Sequence, residues 1–159
     1  MPCRAPLVID TNIALDLFVF HDPSTEALRA AIDGASHGWL ATDAMREELA
    51  RVLVYPQIAR RLELQTVAAE QVLDSFDQRV CILPPAPRAT CICKDPDDQK
   101  FIDLAVAHRA GLLSKDAAVL CMARRLARLG VDVRRHWNAP EAAAPDTPTP
   151  RHAQAPAHP

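Results

Sequence analysis

Four acidic residues fall where a chain of alternating strands and helices would bring them together. Asp10 ends the apolar run 7–9, whose composition is typical of a buried central strand. Glu48 lies in a predicted helix, Asp98 opens another, and Asp116 directly follows a second apolar run. The carboxyl ends of parallel strands form the functional crevice of an open sheet. We therefore expect the three aspartates at one sheet edge, with Glu48 reaching them from its helix.

Carboxylates gathered in this way predict a bound cation. They repel one another and raise one another's pKa values unless a positive charge lies between them. Hard oxygen ligands suit Mg²⁺ or Mn²⁺ better than Zn²⁺, and none of the four acidic segments contains a histidine. A bound divalent ion can activate a water and stabilise the charge that develops on a phosphodiester. The pattern favours metal-dependent hydrolysis of a phosphodiester.

Each acid alone also has a structural explanation. Asp98 and Asp116 are placed to cap the N-termini of helices, where a carboxylate complements the helix dipole. Glu48 could be an ordinary surface residue of an amphipathic helix. Asp10 could begin a turn, but its place at the end of a buried strand makes this the weakest of the four alternatives. The joint occurrence of the four acids favours a site.

The elements that must position these acids alternate between strand and helix. Short apolar runs predict the strands, and apolar periodicity between Pro, Gly and Asx boundaries predicts the helices. Strands are predicted at 7–10, 39–41, 80–83, 112–114 and 131–133. Helices are predicted at 23–32, 43–54, 58–62, 66–76, 96–110 and 117–129, and a short helix or turn is predicted at 13–20. This order predicts an α/β fold with a mainly parallel sheet covered by helices on both faces.

Composition limits the domain organisation and the compartment. The 159 residues suit one domain at 1–138, and the Ala- and Pro-rich segment 139–159 has no periodicity and is expected to be a disordered tail. Aromatic residues make up only 4% of the chain, so the core must be aliphatic. The five cysteines lack a second pair at zinc-site spacing and are expected to be reduced thiols. With no predicted signal peptide or membrane span, we expect a cytoplasmic protein.

The motifs around the four acids resemble those of the PIN domain, and most closely the toxin components of bacterial toxin–antitoxin systems. The matching segments are VIDTN at 8–12, EELARVL at 47–53, DPDDQKFIDLA at 95–105 and LSKD at 113–116. The resemblance spans about residues 6–136. It implies a three-layer α/β/α sandwich and a Mg²⁺- or Mn²⁺-dependent ribonuclease whose metal site comprises Asp10, Glu48, Asp98 and Asp116.

The resemblance also assigns supporting residues and leaves neighbouring acids as alternatives. Asn12 resembles the polar residue that supports the first aspartate by hydrogen bonding, and Ser114 stands where many members have Ser or Thr. Glu47 is an alternative to Glu48, but Glu48 shares the register of the apolar residues that face the sheet edge. The other acids of the third motif, Asp95, Asp97 and Asp103, crowd Asp98, and Asp103 is expected to point to the other side of its helix.

Substrate contacts are expected to be cationic, because phosphate contacts dominate the affinity for nucleic acids. The net charge of −2 does not announce a nucleic-acid binder, yet residues 100–135 hold eight Lys or Arg against three Asp. Arg51, Lys100 and Lys115 lie beside the acids and are candidates for a phosphate cradle. The few aromatic residues that could stack on bases are expected in the core; they are Trp39, Tyr55 and Phe101.

Three functions are consistent with these features. The favoured one is an RNA-cleaving toxin with RNA as substrate, a small antitoxin protein as partner and, by resemblance, a homodimeric state. The alternative is a PIN-like module that binds RNA or protein with little or no cleavage, against which the presence of all four acids argues. A phosphatase or phospho-acceptor ranks lower, because no second aspartate stands two residues after Asp10.

Overall fold

The computed structural model describes residues 4–138, so the predicted tail at 139–159 lies outside the described residues. Five strands form one sheet in the order β3-β2-β1-β4-β5. The strands are β1 (Ala5–Ile9), β2 (His37–Ala41), β3 (Val80–Ile82), β4 (Gly111–Leu113) and β5 (Val133–Arg134). Every pairing in this sheet is parallel. Helices flank the sheet, and the predicted α/β fold with a parallel sheet is confirmed.

Eight α-helices occur within residues 4–138. They are α1 (Thr11–Phe18), α2 (Glu26–Asp33), α3 (Asp43–Leu53), α4 (Pro56–Gln65), α5 (Ala69–Arg79), α6 (Gln99–His108), α7 (Ala117–Leu120) and α8 (Ala123–Ala127). A 3₁₀ turn at Pro23–Thr25 leads into α2. None of the helices in the described range has the length and apolarity needed to cross a membrane.

The centre of the sheet explains the apolar run that opens the chain. Strand β1 lies between β2 and β4, and its residues Leu7, Val8 and Ile9 are all buried. A strand with neighbours on both sides and helices on both faces must be apolar at every position. The core is mainly aliphatic, as expected. Its largest side chain, Trp39, stacks on Phe18 at 5.9 Å between ring centroids and meets Phe76 edge-on at 5.1 Å.

One long helix predicted at 117–129 is instead two short ones, α7 and α8. The chain tightens between them, where the Met122 N–H donates to the Val119 carbonyl three residues back, at 3.0 Å. The buried residues Val119, Met122 and Leu126 keep their spacing of three and four across this turn. Apolar periodicity therefore could not reveal the interruption. The last strand also lies slightly later than predicted, at Val133–Arg134 instead of 131–133.

Candidate metal centre

Asp10 is held between the two central strands. It follows the last residue of β1, is 5% exposed, and its N–H donates to the Leu113 carbonyl at 2.9 Å, which extends the pairing of β1 with β4. Its side chain makes no capping hydrogen bond to α1. Instead, its Oδ2 accepts a hydrogen bond from the Ser114 hydroxyl at 2.8 Å. Helix capping therefore does not explain this carboxylate.

Ser114 connects two of the acids through a single hydroxyl group. The Oγ donates to Asp10 and accepts from the Asp116 N–H at 3.1 Å. Ser114 is 1% exposed, so both bonds lie out of water. Ser114, expected as a supporting residue, thus makes two contacts that fix the Asp10 side chain relative to the backbone of Asp116.

Asp98 is the acid that a structural role explains least. It precedes α6 as the N-cap residue, but its side chain makes no capping hydrogen bond. Its Oδ2 is buried and has no hydrogen-bond partner among residues 4–138. A buried polar atom without a partner is costly, and such groups are rare in folded proteins. The most direct explanation for a carboxylate oxygen in this position is a ligand that it is built to bind.

Asp116 combines both roles. One oxygen, Oδ1, caps α7 by accepting the Ala118 N–H at 2.8 Å, so the structural explanation holds for that atom. The residue also groups with Asp98 and Asp95, since each offers a carboxylate oxygen and these three atoms lie within 4.8 Å of one another. From the sequence, Asp95 is expected only as an alternative ligand in the third motif. The structure adds it to the cluster.

Asp95 reaches the cluster because the chain turns tightly before α6. Its side chain accepts the Asp97 N–H at 2.9 Å, and its carbonyl accepts the Asp98 N–H at 3.2 Å. Helix α6 consequently begins at Gln99, three residues later than predicted. Asp103 points elsewhere, as expected, and its Oδ1 accepts hydrogen bonds from the Ala89 N–H and the Gln99 side chain, both at 2.8 Å.

Glu48 lies on α3 at the rim of the same cleft. Its Oε1 forms an ion pair with the Lys100 ammonium at 2.9 Å, and its Oε2 accepts a hydrogen bond from the Thr11 hydroxyl. Lys100 also donates to the Asp97 carbonyl at 2.6 Å, so it ties α3 to the turn before α6. Glu47 is exposed and does not line the cleft. Of the two adjacent glutamates, the structure brings Glu48 to the other acids.

The cleft has a volume of about 300 Å³. Its lining combines acids, one arginine and one tyrosine with polar and apolar neighbours: Asp10, Thr11, Asn12, Glu48, Arg51, Val52, Tyr55, Asp97 and Asp98. Asp98 belongs both to this lining and to the cluster with Asp95 and Asp116. The cleft and the cluster therefore meet at Asp98.

The electrostatics match a cluster of uncompensated acids. Burial raises the pKa of Asp98 to about 7, and the carboxylates of Asp10, Asp116 and Asp95 add to the increase. Burial also raises the pKa of Asp10, together with Glu48 and Asp116, against the opposing hydrogen bond from Ser114. The ligand atoms that converge in the cluster are carboxylate oxygens, and Asp98 Oδ2 has no partner among the described residues. This donor set fits a hard divalent cation such as Mg²⁺ or Mn²⁺.

Three expectations about individual residues differ from the structure. Asn12 is exposed, and no hydrogen bond joins it to Asp10 within the described range; Ser114 supplies that bond instead. The ammonium of Lys115 pairs with buried Asp16 of α1 and does not line the acidic cleft. Tyr55, expected in the core, is 50% exposed at the cleft. Trp39 and Phe101 are buried as expected.

The position of Lys115 has a simple cause that the sequence contains. Side chains alternate between the two faces of a strand, and the chain after β4 stays extended as far as Asp116. Ser114 and Asp116 therefore lie on one side and Lys115 on the other. The same alternation, continued past the predicted strand at 112–114, indicates that Lys115 points away from the acids and does not contact the substrate phosphate. Arg51 and Lys100 remain beside the acids.

The raised pKa of Asp98 predicts how the stability of the metal-free protein depends on pH. Between its ordinary value of 3.8 and about 7, folded Asp98 keeps a proton that the unfolded chain loses. Its contribution to stability therefore falls as pH rises through this window. Asp98→Asn removes that contribution. Urea titrations in the presence of EDTA measure the free energy of unfolding of both proteins. The difference between them, variant minus wild type, is expected to increase from pH 4 to pH 7.

Comparing the two proteins cancels the titrating groups that lie away from the cluster and leaves Asp98 with its charge coupling to Asp10, Asp116 and Asp95. Burial lowers the pKa of His37, which makes stability rise with pH near 6.5 in both proteins. Hydrogen bonds lower the pKa values of Asp22 and Asp77, whose effects fall at or below pH 4. A difference between Asp98→Asn and wild type that stays constant across the window would contradict the raised pKa.

Comparisons with known proteins identify the fold and the family. No curated protein shows significant similarity to the chain. Among solved structures, a chain of VapBC2 from Rickettsia felis, crystallised with a DNA fragment from its promoter, superposes with a TM-score of 0.56 at 14% identity. The match covers 80% of this chain and 98% of that one, and at this identity it shows a shared fold. The sequence profile of the PIN domain matches residues 6–118, most of the described range. The chain therefore belongs to the PIN domain family.

Proposed function

We propose that this protein is a divalent-metal-dependent endoribonuclease and the toxin of a toxin–antitoxin pair. The observation that carries the proposal is the buried, unpartnered Oδ2 of Asp98 within a converging set of carboxylates. Membership of the PIN domain family supports a nuclease function. The acids that would hold Mg²⁺ or Mn²⁺ are Asp10, Glu48, Asp98 and Asp116, with Asp95 as an addition from the structure. A bound ion would lower the pKa of a water and stabilise charge on the RNA phosphate.

The chain's own residues have separate tasks in this proposal. Ser114 orients Asp10 and Asp116 through its two hydrogen bonds. Lys100 holds Glu48 at the rim and offsets part of the negative charge of the cleft. Arg51 is exposed in the cleft and pairs with no acid in the described part of the chain, so it is available to a phosphate oxygen.

The biological setting is proposed from resemblance and from the solved neighbour. The VapBC2 chain has the same fold and was crystallised as part of that complex on DNA. By analogy we propose a small antitoxin protein as partner, a homodimeric state and a cytoplasmic location. The alternative function is a PIN-like module that binds RNA or protein with weak or no cleavage.

Cleavage of a mixed RNA pool with Mg²⁺ or Mn²⁺, and with EDTA as control, tests the proposal. We expect fragments only when a divalent ion is present. If neither ion supports cleavage across a range of pH, the proposal that the protein is a ribonuclease is wrong. Retention of RNA binding in that case would favour the alternative.

Metal binding is also expected to be visible without any substrate. A ligand that binds only the folded state stabilises it by mass action. We expect Mg²⁺ or Mn²⁺ to raise the melting temperature of the wild type at pH 8, where Asp98 is ionised, and to raise it much less at pH 5, where protons compete. In Asp98→Asn this metal-induced increase in melting temperature should disappear.

Asp103→Asn is the matched control for this measurement. It makes the same chemical change on α6, but Asp103 contacts Ala89 and Gln99 and not the cluster. The variant is expected to melt at a lower temperature and still to show the increment with metal. If Asp103→Asn loses the metal-induced increase in melting temperature and Asp98→Asn keeps it, the ion does not bind at the cluster that contains Asp98.

A further inference from the structure

Tyr55 is an aromatic ring at the edge of the acidic cleft that the metal site does not use. It is 50% exposed and lines the cleft together with Arg51 and the acids. Within residues 4–138 its ring is in no aromatic pair and its hydroxyl makes no hydrogen bond. A single exposed ring is common on protein surfaces, but this ring borders a charged cleft and is placed to contact a ligand bound there.

The position of the ring follows from its place after α3. Glu48 and Arg51 are three residues apart on α3, so they lie on one face of that helix. Tyr55 follows the end of α3, and it lines the same cleft as both of them. A carboxylate, a cation and an exposed aromatic ring therefore border one cleft.

The backbone of Tyr55 is fixed on both sides, although its ring is exposed. Its N–H donates to the Val52 carbonyl at 3.0 Å, and its carbonyl accepts the N–H groups of Ile58 and Ala59 at 3.0 and 2.8 Å. The following Pro56 restricts Tyr55 to extended backbone angles, which it adopts as the N-cap of α4. When a planar ligand stacks on the ring, only the two side-chain torsions of Tyr55 have to be ordered.

An unpaired nucleobase is the ligand that suits this arrangement. Bases released from a duplex stack on tyrosine rings, and each such contact contributes about 1–3 kcal/mol. A guanidinium beside the ring suits the phosphate that joins the stacked nucleotide to its neighbour. A protein partner would also cover an exposed tyrosine. The adjoining cation and the acidic cleft favour a nucleotide, because the substrate of a ribonuclease must lie in the cleft that Tyr55 and Arg51 line.

We infer that Tyr55 and Arg51 form a nucleotide subsite, in which Tyr55 stacks on an unpaired base next to the phosphate held at the acidic centre. The inference rests on the proposed ribonuclease function and extends it. Because a paired base cannot stack on this ring, the subsite selects single-stranded RNA over duplex RNA at this position.

Steady-state kinetics on a single-stranded RNA oligonucleotide, with Tyr55→Ala and Tyr55→Phe, test the subsite. We expect Tyr55→Ala to raise KM by about 5- to 100-fold, as the loss of one stacked base predicts, with a much smaller change in kcat. Tyr55→Phe keeps the ring and should stay close to wild type. Cleavage of an otherwise identical oligonucleotide with abasic sites, which have no ring to stack, should fall far less in Tyr55→Ala than cleavage of the intact RNA does.

Val54→Ala is the control, because Val54 is the exposed neighbour of Tyr55 and does not line the cleft. An unchanged KM for RNA in Tyr55→Ala would overturn the subsite and assign the ring to a protein contact. Equal losses in Tyr55→Phe and Tyr55→Ala, or on both substrates, would overturn it as well.

Failure of the ribonuclease proposal has a different signature. A wild type that cleaves no RNA refutes that proposal, and the subsite is then tested by fluorescence anisotropy of a labelled single-stranded RNA. Weaker binding in Tyr55→Ala than in Tyr55→Phe would support stacking even so, and equal binding would refute it.

Discussion

Replacing Asp10 by asparagine is expected to reduce metal-dependent RNA cleavage by more than about 100-fold. Loss of a residue that only supports a metal ligand typically costs 10- to 100-fold in affinity or activity, and loss of a ligand costs more. Asparagine has the shape of aspartate and keeps an oxygen that can accept from the Ser114 hydroxyl. The variant therefore removes a charge from the centre and leaves the fold intact.

Initial rates on the RNA pool over a titration of Mn²⁺ or Mg²⁺ measure this effect. Asp132→Asn is the matched control, because Asp132 is exposed and precedes β5 at the opposite end of the sheet. We expect the control to cleave at close to the wild-type rate. Equal activity in Asp10→Asn and wild type would overturn the assigned site, even if the protein proves to be a ribonuclease.

The second large effect concerns stability. Leu104→Ala is expected to lower the free energy of unfolding by about 2–5 kcal/mol, because it removes a fully buried side chain and leaves a cavity. Leu104 lies on α6, which packs against β1 and β4 and begins directly after Asp98. The same substitution at Leu64, which is 77% exposed on α4, should change stability by less than about 0.5 kcal/mol.

Urea denaturation of the two leucine variants beside the wild type measures this difference. Similar slopes with denaturant would show that the midpoints report stability alone. A cost below about 1 kcal/mol for Leu104→Ala would mean that α6 is less firmly packed than its burial indicates. The placement of Asp98, which depends on where α6 begins, would then need revision.

Much of the fold could be predicted from the sequence, because the physical signals are local. The apolar run 7–9 requires burial on both faces, and only a central parallel strand provides this. The spacing of Leu49 and Leu53 marks the buried face of α3, and so identifies Glu48 as the inward glutamate. The break between α7 and α8 has no such signal, since the buried residues keep helical spacing across it.

The candidate site could be predicted in outline, and its details depend on contacts between distant residues. Asp98 looked like a helix cap in the sequence, and only its unpartnered oxygen distinguishes it from one. Tyr55 stands at the junction of α3 and α4, where the periodicity of neither helix reports which way a side chain points. Asp95 begins an Asx turn, which the Asp-Pro pair favours, but the spacing does not reveal that this turn brings its carboxylate to Asp98 and Asp116.

The hydrogen bond from Ser114 to Asp10 has a consequence for the synthesis of the chain. It joins residues 104 positions apart, and strand β4 must pair with β1 before it can form. A chain emerging from the ribosome contains Asp10 and Glu48 long before Ser114 and Asp116, so the acidic centre is assembled only when nearly the whole domain has been made. For the proposed ribonuclease, this order delays activity until most of the domain has been synthesised on the RNA-rich ribosome.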